Sequence, residues 1–245
     1  MKYLLPIVLL VLLSCKKTED RNCFKTVGEL TTREIALEDF DKLYLGPHLK
    51  YVLVQDTVNK VVLTGGKNLL NFIEASIDEE KRLNLRNINK CNFLRDYDKV
   101  VTAEIHVKKI VNILFEGTHE LLCPLTLNTD YMAVVIRDGA GKVNLLINAY
   151  ELYANVTYGW GNFELTGTVN YLNLQINGNG FGTTYDLHVN DSLDIVSNTS
   201  ETLKVNADGC KFRPQILSNG SIWYIGVPAS VTLNTYGTGE LVDKN

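Results

Sequence analysis

A repeat of about twenty residues in the second half of the sequence constrains the fold more than any other feature. The segment 132–136, Met-Ala-Val-Val-Ile, aligns with 152–156 and with 172–176, each twenty residues after the last. A second series of strand residues recurs at intervals of 18 to 22, at Val143, Phe163, Tyr185, Leu203 and Ile222. A fixed period of this length is typical of solenoids, in which each repeat buries its apolar face against its neighbours.

The residues within each repeat alternate between apolar and polar, which indicates a β-strand with one buried face. Six side chains are therefore predicted to point inward: Leu152, Ala154, Val156, Leu172, Leu174 and Ile176. Pairs of glycines such as Gly159 and Gly161 separate the strands and supply tight corners. No helical pattern follows these glycines, so they do not predict a phosphate-binding loop.

Short strands, glycine corners and about twenty residues per coil together predict an all-β parallel β-helix. An antiparallel sandwich or barrel is the alternative, because short strands at regular spacing also fit that architecture. The solenoid is favoured because three successive repeats keep one register, which hairpins have no reason to maintain. The first half of the chain is less regular. It predicts further strands around Tyr51, Leu63, Ala75, Leu85 and Ile105, one helical turn at 68–70 and a polar turn at 78–81.

The N-terminal segment is predicted to be a leader that is removed. An apolar run of ten residues, Leu4 to Leu13, is too short to cross a hydrocarbon core of about 30 Å but suits an export signal. The run ends in Leu-Leu-Ser-Cys at 12–15, which resembles the lipobox of bacterial lipoproteins. We therefore expect a signal peptide at 1–14, a lipidated Cys15 that opens a tether at 15–30, and a folded domain at 31–245.

Acyl chains on Cys15 would hold the protein on a membrane without spanning it. Lys16, rather than an aspartate, follows the cysteine, and in the lipoprotein pattern this favours the outer membrane. The sequence leaves open whether the domain faces the periplasm or the cell surface.

Four further cysteines, Cys23, Cys91, Cys123 and Cys210, would lie outside the cytoplasm, where disulfides are possible. Four cysteines allow three complete pairings, which sequence alone does not distinguish. A Cys23–Cys91 bridge is predicted because it would clip the start of the domain to a polar loop, while Cys123 and Cys210 lie in apolar strands where free thiols are common. No cysteine pair has C-x-x-C spacing and the four histidines are scattered, so no metal site is expected.

The charge distribution argues against nucleic acid as a partner. The formal net charge is -4, and between Ile110 and Leu203 two basic residues, Arg137 and Lys142, stand against ten acidic ones. A nucleic-acid surface needs clustered lysine and arginine to neutralise phosphates. The stretch that carries the repeat has no such cluster.

Several segments resemble the putative auto-transporter adhesin, head GIN domain family. They are Cys-Phe-Lys at 23–25, Gly-Lys-Asn-Leu-Leu-Asn-Phe-Ile at 66–73, Asn-Lys-Cys-Asn at 89–92, the glycine-cornered repeats, and 222–241. The resemblance covers about residues 23–243. It implies an exported lipoprotein with a right-handed, single-stranded parallel β-helix. No catalytic residues are defined for the family, so none is carried over, and no cofactor is expected.

The function predicted from these features is a non-catalytic envelope lipoprotein whose solenoid presents a surface for carbohydrate or for another envelope protein. Tyr158, Trp160 and Phe181 are the candidate ligand-binding residues. With about twenty residues per coil, Trp160 and Phe181 are expected on adjacent coils at the same edge, roughly 4.8 Å apart. Exposed rings in a row can stack on sugars or anchor a protein. The alternative is that the rings fold over the glycine corners and shield the core.

Other readings of the same surface remain open. Some parallel β-helices cleave polysaccharides, and an enzyme of that kind would use exposed carboxylates such as Asp138, Glu151, Glu164 and Asp186. A purely structural envelope protein is a further alternative. The triads Asp-Thr-Val at 56–58 and Asp-Ser-Leu at 191–193 also resemble acceptors for O-glycosylation of bacterial envelope proteins.

Overall fold

The chain is built almost entirely from β-strands in the computed structural model, which describes residues 26–91 and 99–245. Within those residues it forms nineteen strands and one helical turn, α1 (Lys67–Leu70). The first eight strands are β1 (Leu30–Ala36), β2 (Lys42–Leu45), β3 (Lys50–Gln55), β4 (Lys60–Gly66), β5 (Ile73–Ile77), β6 (Arg82–Asn87), β7 (Thr102–Val107) and β8 (Asn112–Phe115). The others are β9 (Leu121–Arg137), β10 (Lys142–Thr157), β11 (Asn162–Gly178), β12 (Phe181–Thr184), β13 (Leu187–Thr199), β14 (Leu203–Asn206), β15 (Lys211–Ile216), β16 (Ile222–Ile225), β17 (Ser230–Val231), β18 (Asn234–Thr235) and β19 (Leu241–Asp243).

The long strands stack in parallel, and their register follows the sequence repeat. Leu152 in β10 pairs with Met132 in β9 on one side and with Leu172 in β11 on the other. Leu172 in turn pairs with Leu193 in β13. The stack makes a β-solenoid of about seven turns of roughly twenty residues. The parallel β-helix prediction is confirmed, and the antiparallel sandwich is excluded for the repeat region.

The core runs along the inside of the stack. The six side chains predicted to point inward are all buried, none with more than 4% of its surface exposed. Each repeat alone has a single apolar face, and burying an aliphatic side chain contributes roughly 1.5–3 kcal/mol. In the stack, the inward-facing side chains of each internal strand contact apolar side chains of the strands on both sides. Cooperative folding of the whole stack follows from this arrangement.

One member of the second strand series was assigned wrongly from the sequence. Phe163 in β11 pairs with Gly182 in β12, and Gly182 pairs with Leu203 in β14. Tyr185 lies beyond the end of β12 and is half-buried. The glycine is required because a Cβ at position 182 would lie 2.5 Å from the ring of Phe163. From the sequence, the side chain of Tyr185 is expected in this series, but the main chain of Gly182 packs on the Phe163 ring instead.

The N-terminal part of the stack departs from purely parallel pairing. β1 and β7 both pair antiparallel with β4, and β5 pairs antiparallel with β6. A tight turn reverses the chain between β5 and β6, where the Asp78 carboxylate accepts the main-chain N–H groups of Glu80 and Arg82. The predicted polar turn and the single helical turn are both present. These local reversals explain why the repeat is ragged in this half.

None of the helices in 26–91 and 99–245 has the length and apolar character needed to span a bilayer.

Candidate binding surface

Tyr158 and Trp160 lie on the turn that joins β10 to β11, at one corner of the solenoid. They expose 67% and 61% of their surface. Tyr158 has a φ of 59°, in the left-handed region, and Gly159 follows with a φ of 82°. Phe181 opens β12 on the next coil and is 39% exposed. We call these three residues, Tyr158, Trp160 and Phe181, the aromatic corner.

Trp160 and Phe181 are not paired in register on adjacent strands. Phe181 pairs with Asn162 rather than with Trp160, so the two rings are offset by two residues along the coil. The register therefore does not pair Trp160 with Phe181 on the adjacent strand, and the spacing of their rings stays a prediction. The offset arises because β11 extends to Gly178, which leaves a shorter turn before β12 than the one before β11.

Main-chain atoms at two glycines cover the core edge at this corner. A Cβ at Gly161 would lie 2.3 Å from Cγ2 of Ile136, and one at Gly180 would lie 2.5 Å from Cγ1 of Val156. Both glycines are buried. The backbone therefore closes the apolar interior, and Tyr158 and Trp160 are left with most of their surface in solvent. A ring that shielded the core would be buried instead.

The carboxylates of the enzyme alternative do not form one site. Glu164 accepts a hydrogen bond from Lys142 at 2.5 Å, and Asp138 lies 3.7 Å from the Arg137 guanidinium. Glu151 occupies a different part of the coil, in register with Tyr131 and Tyr171. Asp186 precedes β13 at another turn.

Acidic and imidazole groups meet at one further place on the surface. His106 is held between two carboxylates, with Nδ1 2.8 Å from Asp56 Oδ2 and Nε2 2.8 Å from Glu104 Oε1. Hydrogen bonds from the Thr57 main chain and from His106 lower the pKa of Asp56. Over 26–91 and 99–245, no three histidine, cysteine or acidic side chains are placed to hold a metal ion.

The two glycosylation-like triads differ in accessibility. Ser192 is only 4% exposed, and its hydroxyl accepts a hydrogen bond from Arg213 at 3.3 Å. The other triad lies on the turn after β3, where the main-chain N–H of Thr57 donates to Asp56 at 2.6 Å and both residues are exposed or half-buried.

Among the described residues, Cys123 and Cys210 are free and Cys91 is in a disulfide, as predicted. Cys123 and Cys210 are buried free thiols, and burial raises the pKa of each to about 11. Cys91 is buried and disulfide-bonded. Cys15 and Cys23 lie outside the described residues, so lipidation and the Cys23–Cys91 pairing stay predictions.

A lateral groove that sequence reasoning missed crosses the outer face of the long strands. It consists of two adjoining cavities of about 870 and 390 Å³, and Tyr150 lines both. Tyr171, which pairs with Glu151 next to Tyr150, lines the smaller cavity. A signal was present in the sequence, because Asn128, Asn148, Asn170 and Asn190 recur at intervals of 20 to 22 residues. We call this feature the tyrosine groove.

Stacked parallel coils of about twenty residues define a parallel β-solenoid. The chain belongs to the putative auto-transporter adhesin, head GIN domain family, whose model matches residues 39–228. The resemblance in the sequence is thereby confirmed. The family description, a putative adhesin, fits a binding role.

Solved structures share the fold at low sequence identity. A putative adhesin from Bacteroides fragilis is 23% identical with a TM-score of 0.73, and the match covers 88% of this chain and 97% of that one. A putative adhesin from Parabacteroides distasonis is 17% identical with a TM-score of 0.63, over 89% and 98% of the two chains. A putative lipid binding protein from the same species is 18% identical with a TM-score of 0.60, also over 89% and 98%. Comparison with curated protein sequences found no match.

Proposed function

We propose that this protein is a membrane-anchored, non-catalytic component of the cell envelope that binds another envelope protein through the aromatic corner. The observation that carries the proposal is the exposure of Tyr158 and Trp160, at 67% and 61%, on a corner whose interior the main chain already covers. Large exposed aromatic side chains are enriched among the residues that dominate protein interfaces. The main chain at Gly161 and Gly180, rather than these rings, covers the core edge at this corner.

The shape and charge of the corner favour a protein partner. The rings stand out from a turn, and the acidic Asp138 and basic Arg137 lie at the equivalent turn one coil earlier. Apolar rings beside mixed charges match the centre and rim of a protein interface. The family description and the adhesins among the solved relatives are consistent with a binding role.

Anchoring at the outer membrane is part of the same proposal. Lipidation of Cys15 would place the solenoid at the membrane surface on a short tether that begins at Lys16 and ends before β1. Two or more acyl chains give a stable anchor, because each buried methylene contributes about 0.8 kcal/mol. A tethered domain can then present its lateral faces to neighbouring envelope components.

Capture from detergent-solubilised envelope tests the proposal. The protein is immobilised as wild type, as the double variant Tyr158→Ala/Trp160→Ala, and as the control Tyr236→Ala, which removes another exposed ring on the last coil. A partner that is retained by wild type and control but lost by the double variant supports the proposal. Equal retention by all three proteins, or retention by none, contradicts it.

A further inference from the structure

The tyrosine groove has the chemistry of a carbohydrate site. We propose that it binds a linear, neutral oligosaccharide that lies along the stacking direction of the coils. The proposal uses residues in the middle of the long strands and does not depend on the aromatic corner. Failure of one proposal therefore leaves the other intact.

Two tyrosines on neighbouring strands, Tyr150 and Tyr171, supply the apolar surface of the groove. Tyr171 in β11 pairs with Glu151 in β10, next to Tyr150. The rings of Tyr150 and Tyr171 lie 5.3 Å apart at 67°, and the Tyr171 hydroxyl donates to Asp191 at 2.7 Å. These contacts fix the orientation of the rings. Tyrosine combines an apolar face with a polar tip, which suits the C–H face and the hydroxyls of a sugar ring.

Amide side chains supply the polar surface beside the tyrosines. Asn128 and Asn148 pair across β9 and β10, and the Asn148 amide donates to the Asn128 side-chain oxygen at 3.4 Å. Gln55 is held by two hydrogen bonds with the main chain of Asn128, at 2.9 and 3.0 Å. A side-chain amide both donates and accepts, as a sugar hydroxyl does. A row of amides therefore matches a row of hydroxyls without requiring charge.

The charges along the groove favour a neutral ligand. Lys108 is paired with Asp39 at 2.8 Å, and Arg213 is paired with Asp194 through two hydrogen bonds of 2.5 and 2.7 Å. The remaining charged lining side chains have both signs: Lys109, Asp130 and Glu151. No excess of positive charge is present to bind a uronate, sulfate or phosphate group.

A further polar atom in the smaller cavity lacks a partner among the described residues. The side-chain oxygen of Asn173 is buried and accepts no hydrogen bond there. A buried acceptor without a donor is costly. Arg213 and Ser192 line the same cavity and are linked by a hydrogen bond of 3.3 Å.

The spacing of the coils sets the length of the ligand. The groove runs from Asn128 in β9 to Arg213 in β15, across five stacked strands. At about 4.8 Å per strand this distance is about 19 Å. One strand separation is close to the length of one sugar unit in an extended chain. Each rung can therefore face one unit, and the groove accommodates about five.

Isothermal titration calorimetry with the purified full-length protein tests this inference. The probes are linear oligosaccharides of glucose, mannose or xylose of increasing length, with oligogalacturonate as the acidic comparison. We expect the affinity for at least one neutral series to rise with length and to level off at about five units. Tyr150→Ala should weaken binding about ten-fold, while Tyr150→Phe keeps the ring and most of the affinity.

Matched variants make the result decisive. Asn148→Ala should also weaken binding, whereas Tyr236→Ala, which removes an exposed ring far along the chain, should leave it unchanged. Circular dichroism confirms that each variant is folded. Absence of saturable binding by every neutral series would overturn the proposal. So would binding of oligogalacturonate alone, or an affinity that Tyr150→Ala does not change.

Discussion

The main chain at Gly161 lies directly against the side chain of Ile136, so closely that an added Cβ would be 2.3 Å from Ile136 Cγ2. The glycine thereby seals the core with backbone atoms, one residue after Trp160. Covering the core and presenting an exposed ring are therefore the work of two different residues at this corner. The glycine closes the interior, and the ring remains in solvent, available for a partner.

Substitution of a core side chain should unfold the solenoid. Leu174 is fully buried and lies between Ala154 and Ile195 on the adjacent strands. Leu174→Asp places an uncompensated carboxylate among apolar side chains, which costs several kcal/mol. Urea denaturation should show loss of the folded baseline. The outward-facing neighbour variant Gln175→Asp should change the free energy of unfolding by less than about 1 kcal/mol. A stable Leu174→Asp protein would contradict the inward assignment.

The two buried thiols should resist alkylation in the native state. Burial raises the pKa of Cys123 and of Cys210 to about 11, compared with 9.0 for an exposed thiol. The thiolate is the reactive form, so iodoacetamide at pH 8 should modify both only after denaturation. Because the unfolded thiols ionise first, raising the pH from about 9 to 11 favours unfolding. Rapid modification of native protein, located by peptide mapping, would show that these thiols are accessible.

A disulfide between Cys23 and Cys91 should be found in protein recovered from the envelope. It closes a loop of about 70 residues and contributes roughly 4 kcal/mol under the loop-entropy model. Cys23→Ser should therefore lower the free energy of unfolding by an amount of that order. Peptide mapping without reduction identifies the linked pair. Recovery of both peptides with free thiols would reject the pairing.

Lipidation should depend on Cys15. Cells grown with labelled palmitate should incorporate the label into wild type and not into Cys15→Ser, because the thioether is formed at that sulfur. The variant should be released from the membrane fraction or keep its leader. Cys23→Ser, which leaves Cys15 in place, serves as the control. Label in the Cys15→Ser protein would exclude this site.

The fold of the repeat region could be predicted because the sequence pattern sets both the buried face of each strand and the spacing between stacked strands. Apolar residues alternate, which sets the inward face, and they recur at one spacing, which places Leu152 beside Leu172. The alternation of apolar and polar residues does not show whether two paired strands run parallel or antiparallel. The antiparallel pairing of β5 with β6 therefore emerged only from the structure, where Asp78 stabilises a reversal.

Two features could not be predicted from the alternation of apolar residues: the packing of main chain on Phe163, and the tyrosine groove. Gly182 occupies a strand position where an apolar side chain was expected, because the ring of Phe163 already fills the space above it. The tyrosine groove depends on outward-facing residues, and an outward residue is not constrained by burial. Tyr150 and Tyr171 lie 21 residues apart, a spacing that places their rings together only once the coil length and register are known.

The most direct test of the binding account measures stability and binding together in the variant Tyr158→Ala/Trp160→Ala. The account predicts an unchanged melting temperature, because the rings are mostly exposed and the glycines cover the core, together with loss of the captured envelope partner. Differential scanning calorimetry gives the first quantity and a binding assay with the partner the second. A melting temperature lowered by several degrees, with partner binding retained, would show that the rings pack the corner and would contradict the account.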